Sequence, residues 1–115
     1  MRIQYDPEGD ILEIIFNEQF HLAEKRSIKL RDGIILFISK TQSVPVQLTL
    51  VNYKKAAQLP SIFFDGWNRL EKNEKRELLP IINSSSISAF LRFDPQTGYG
   101  HLSSPGMLDV FSEAV

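Results

Sequence analysis

The chain has 115 residues, enough for one domain with one modest core and too few for a catalytic domain beside a regulatory one. Apolar residues make up 43% and charged residues 23%, which excludes wholesale disorder, and a net charge of -1 gives no general attraction to nucleic acid or to an anionic membrane. The absence of cysteine excludes disulfides, thiolate metal sites and cysteine nucleophiles. The N-terminus lacks the apolar stretch of a signal peptide, and the longest apolar run, Ile34 to Ile38, is far short of a bilayer span. These features place the chain in the cytoplasm, away from membranes.

Met1 to Tyr5 reads as a first strand and Ile11 to Phe16 as a second. Between them, Asp6-Pro7-Glu8-Gly9-Asp10 is a turn, with proline setting φ and Gly9 free to take a positive φ. Ser27 to Leu30 alternates as a third strand, and Arg31-Asp32-Gly33 is a second hairpin turn. Ile34 to Ile38 is apolar on both faces, which predicts a central strand covered on both sides. Val44, Val46, Leu48 and Leu50 alternate as a fifth strand, with Pro45 at its start or on an edge. Tyr53 to Gln58 fits one helical turn.

Asp65 is placed to cap a helix over 67–79, with Pro80 disfavouring continuation. Ser88 to Phe93 and Tyr99 to Leu102 form a C-terminal hairpin, and Met107 to Phe111 a final short helix. The order aromatic-Asp-Pro with glycine close behind occurs at Tyr5-Asp6-Pro7 and again at Phe93-Asp94-Pro95. It reads as recurring turn chemistry, because no longer repeat accompanies it.

The segment Met1-Arg2-Ile3-Gln4-Tyr5-Asp6-Pro7-Glu8-Gly9-Asp10-Ile11-Leu12 resembles the opening of a short bacterial family of uncharacterised function. Ile34 to Ile38 and Leu48-Thr49-Leu50-Val51-Asn52 are similar to its later segments. The resemblance covers about residues 1–56 and implies a compact antiparallel meander ending in a helical turn. It further implies an antitoxin-like or partner-binding module, and it supplies no catalytic residue. Gly9 stands where a small residue such as alanine is usual, and the second half of the chain has no counterpart.

The chemistry-bearing residues form no catalytic pattern. Asp6, Glu8 and Asp10 have the spacing of the first ligands of a calcium loop, but Ile11 and Asn17 occupy the positions that need glycine and glutamate. His21 and His101 lie far apart in sequence, and neither has a second His, Asp or Glu at ligand spacing in the same element. Ser84 to Ser86 have no nucleophile-elbow context. The basic residues Lys72, Lys75 and Arg76 are interleaved with Glu71, Glu74 and Glu77, which argues for a solvated face rather than a phosphate track. Phe63, Phe64 and Trp67 concentrate three aromatics in five residues; they either pack a helix on a sheet or form a contact surface.

The expectation is one α+β domain over 1–115: an antiparallel meander of about five strands, one main helix and a C-terminal hairpin. The family-like meander covers 1–56, and 57–115 is a helix-plus-hairpin extension. The leading function is a non-enzymatic module that binds another protein or itself through Phe63, Phe64 and Trp67, with no catalytic residue, metal or cofactor. The alternatives are an antitoxin-like or nucleic-acid-associated regulator, against which the overall charge argues, and a small enzyme pairing His21 or His101 with a carboxylate.

Overall fold

A computed structural model describes residues 1–102; the helix expected at Met107 to Phe111 lies outside the described residues. The fold is α+β. Five strands form one antiparallel sheet in the order β1-β2-β5-β4-β3: β1 (Arg2–Asp6), β2 (Ile11–Ile15), β3 (Lys25–Arg31), β4 (Ile34–Ser39) and β5 (Pro45–Val51). A short helix α1 (Tyr53–Ala57) follows. A second sheet, in the order β6-β8-β7, is built from β6 (Ile62–Phe63), β7 (Leu91–Phe93) and β8 (Tyr99–Leu102). Between β6 and β7 lie α2 (Asp65–Asn68), α3 (Lys72–Ile82) and α4 (Ser85–Ser88).

Period-two alternation explains the large sheet. Leu12, Ile14, Ile28, Leu30, Ile34, Leu36, Leu48 and Leu50 point to one face and are buried there. The buried residues of the helices join the same core: Tyr53, Trp67, Leu78 and Ile87, among others. The small sheet adds Ile62, Leu91, Phe93 and Leu102 to it. Both sheets therefore close over one core from opposite sides.

The turns follow local chemistry, with one change. Gly33 takes φ +83° in the Asp32-Gly33 turn, as that turn requires. In the first turn the left-handed residue is Asp10 (φ 53°), not Gly9. Asp10 holds that conformation through long-range bonds. It accepts from Tyr5 Oη (2.8 Å) and from the Lys54 backbone N–H (3.0 Å), so it caps α1 from across the sheet.

The helix expected over 67–79 is two pieces. α2 closes after one turn, with the Leu70 N–H on the Trp67 carbonyl (3.1 Å). Glu71 then extends (ψ 158°) and starts α3. Gly66 and Asn68 are poor helix formers, and Gly66 is fixed by its packing. A Cβ there would lie 1.9 Å from the Lys29 carbonyl oxygen, so only glycine lets α2 sit against β3. Asp65 is the first residue of α2 rather than its cap, and its carboxylate pairs with Arg69 (2.8 Å). α3 runs through Pro80 because Leu78, Ile81 and Ile82 are buried at its end. That burial outweighs one missing backbone bond.

Candidate interaction surface

The large sheet has a second face. Along β2, β4 and β5 it presents Ile11, Ile35, Phe37 and Val51, all half-buried, between Glu13, Gln47 and Thr49. Every helix contributes its buried residues to the core on the opposite face. β4 is internal to the sheet: Ile34 and Leu36 are buried in the core, and Ile35 and Phe37 are half-buried on the second face. Ile15, of the same parity on β2, is buried (2%), and Arg2 beside it pairs with Glu18 of the 3-10 turn that follows β2 (2.9 Å). The Lys25 Nζ stands 5.9 Å from the Phe37 ring centroid. In register, one row crosses this face as Lys29, Ile35, Thr49, Glu13 and Gln4. Its β3 end carries Lys29, partnered by Asp32 (2.6 Å), and its β2 side carries Glu13.

The three aromatics expected at a contact surface part company at the join of β6 and α2. Phe64 (0% exposed) and Trp67 (1%) lie in the core. Phe64 stacks on Phe93 with centroids 4.7 Å apart, and Trp67 meets the same ring edge-on at 5.2 Å. The Trp67 Nε1–H donates to the Pro95 carbonyl (2.9 Å), which fixes the β7–β8 turn. Phe63 alone points outward, where its ring meets Tyr99 at 4.8 Å. Tyr99 is the exposed aromatic that the sequence reading passed over; its outward parity on β8 was the available signal.

An open groove of about 980 Å³ runs between β3 and α2. Its charges largely pair with one another: Lys29 with Asp32 (2.6 Å) and Arg69 with Asp65 (2.8 Å). Lys29 holds the Asp32 carboxyl below its usual range. Beside the groove, Arg26 reaches toward Glu77 (3.8 Å) while its Nε stays buried without an acceptor.

The other candidates resolve into structure. Asp6 accepts from the Glu8 N–H (3.1 Å), and Asp10 is engaged with Tyr5 and Lys54. Burial, then the hydrogen bond to Asp10 and its charge, push the Tyr5 hydroxyl up to about 12. Burial, then the Asp10 charge, also raises Tyr53. Ser84 caps α4 through the Ile87 N–H and donates to the Ile81 carbonyl (2.6 Å). His21 follows a single 3-10 turn and His101 stands on the exposed side of β8. Neither imidazole is bonded to a carboxylate among the described residues, and no group of three metal-ligating side chains occurs among them. No described helix is long and apolar enough to cross a membrane. No family model matches the chain, and neither a curated protein nor a solved structure matches it.

Proposed function

We propose that the chain is a non-enzymatic interaction module that associates through the outer face of its five-stranded sheet. One observation supports this reading: Ile11, Ile35, Phe37 and Val51 stand half-buried on the face opposite the core that α1 to α4 join. An antiparallel sheet with one solvated face ordinarily alternates to polar residues there. Aliphatic and aromatic side chains at those positions suit a second sheet stacked roughly 10 Å away.

The partner that the charges favour is a second copy. A twofold axis along the strands lays β3 of one copy over β1 of the other. The Lys29 end of the central row then approaches the Glu13 end of its mate. Such self-association fits a cytoplasmic protein, and the chain has no cysteine to suggest an oxidising compartment.

Light scattering over a concentration series tests the reading. The wild type is expected at twice the 13.2 kDa chain mass. Phe37→Thr, which keeps a strand-forming residue but removes the ring, is expected to shift the mass toward one chain with cooperative melting retained. A wild type at the mass of one chain at every concentration contradicts the self-associating module.

A further inference from the structure

The small sheet has an outward face of different character. Alternation identifies its members. Ile62 is buried and Phe63 exposed on β6, Leu91 and Phe93 are buried and Arg92 exposed on β7, and Tyr99 and His101 are exposed on β8. The outward set among the described residues is therefore two aromatic rings, an imidazole and a guanidinium, with one carboxylate at the turn, the exposed Asp94, whose backbone N–H pairs with the Tyr99 carbonyl (2.9 Å), and no aliphatic side chain. Register places Phe63 beside Tyr99 and Arg92 beside His101. Arg31, from the end of β3, donates through Nη1 to the Phe63 carbonyl (3.1 Å) and brings a second guanidinium to the rim. Of the acids that flank it, Asp65 is paired with Arg69, whereas Asp94 accepts from the Gln96 N–H (2.9 Å) and keeps its charge, so the two guanidiniums face one free carboxylate. The platform rests on a packed layer, because Phe93 on its inner side is held between Phe64 and Trp67.

From this arrangement we propose that the outward face of the small sheet binds single-stranded nucleic acid. Bases stack on Tyr99 and Phe63, and phosphates meet Arg92 and Arg31. Unpaired bases offer a π-face to exposed rings whatever their sequence. A planar guanidinium matches a phosphate through paired donors. A protein partner would also use tyrosine and arginine, but two guanidiniums against one carboxylate, with no aliphatic side chain among the described residues of this face, favour an anionic, aromatic ligand. A duplex keeps its bases stacked and offers these rings nothing to contact. With a net charge of -1 on the chain, affinity rests on stacking more than on long-range attraction.

The test is fluorescence anisotropy of labelled oligo-dT and oligo-U titrated with the full chain at low salt, with a labelled duplex alongside. Saturable binding to at least one single strand is expected, and the stronger of the two identifies the sugar preferred. Tyr99→Ala is expected to weaken it roughly tenfold or more. Arg92→Ala is expected to weaken it less and to flatten the salt dependence. Gln42→Ala, in the exposed turn between β4 and β5 of the other sheet, is expected to leave it unchanged. Both exposed-face variants are checked for cooperative melting, and either one that stays folded is decisive. No saturable change with either strand overturns the proposal. So does undiminished binding by either variant that stays folded, or tighter binding of the duplex.

Discussion

The two sheets share one core and differ in what they leave outside it. The larger exposes aliphatic side chains and one phenylalanine on a broad face that also carries Lys29 and Glu13. The smaller exposes rings and cations on a face of three short strands. A face of the first kind suits dry packing against another sheet, whereas the second suits a flat, charged ligand. The lesson is that one core can be closed by two layers whose free faces have separate chemistry. The joint between them is α2, which follows directly from β6 and lies against β3.

Breaking that joint has the largest expected effect. Gly66→Ala forces a methyl into the Lys29 carbonyl, with backbone on both sides. Denaturant unfolding should show a loss of about 3 kcal/mol or more. A change under about 0.5 kcal/mol would mean that α2 moves freely on β3.

Trp67→Phe sharpens the comparison at smaller cost. It keeps an aromatic ring beside Phe93 but leaves the Pro95 carbonyl without its donor. A loss of about 1–3 kcal/mol is expected. Hydrogen exchange should locate the weakening in β7 and β8 rather than in the large sheet.

Alkaline pH probes the large sheet instead. The Tyr5 hydroxyl titrates near 12 in the folded chain, above its ordinary value of 10. The folded state therefore favours the neutral ring. That contribution is complete below about pH 10 and is lost as pH rises toward about 12. Tyrosine absorbance should show the late titration, and Asp10→Asn should bring it earlier by removing the neighbouring charge. A wild-type titration of Tyr5 near 10 would contradict the buried Tyr5–Asp10 bond.

The smallest effects on stability belong to the free faces. Phe37→Thr and Tyr99→Ala should each change stability by less than about 1 kcal/mol. Their effects should appear in association and in ligand binding, respectively.

Much of this architecture was legible in the chain, for reasons that differ by segment. The five strands of the large antiparallel sheet and the last hairpin follow from period-two alternation and from turn residues such as Asp32-Gly33. What failed was whatever depends on which layers exist. Apolar residues on both parities of β4 are unevenly buried, Leu36 fully and Phe37 by half, because alternation gives faces and not neighbours. Phe63, Phe64 and Trp67 are close in sequence, yet the bend between β6 and α2 sends Phe63 outward and the other two inward. Asp10 looked like turn chemistry, but its bond to Lys54 spans 44 residues. Tyr99 and His101 share one parity of β8 and Arg92 stands opposite His101, and only the position of the core shows that this parity is outward.

The measurement that tests the central claim most directly is the solution mass of three variants: Lys29→Glu, Glu13→Lys, and both together in one chain. The account predicts that each single change drives the assembly toward the mass of one chain, by setting like charges at both ends of the shared face. The double change should restore the wild-type mass. Three variants with the wild-type mass at every concentration would contradict association through this face.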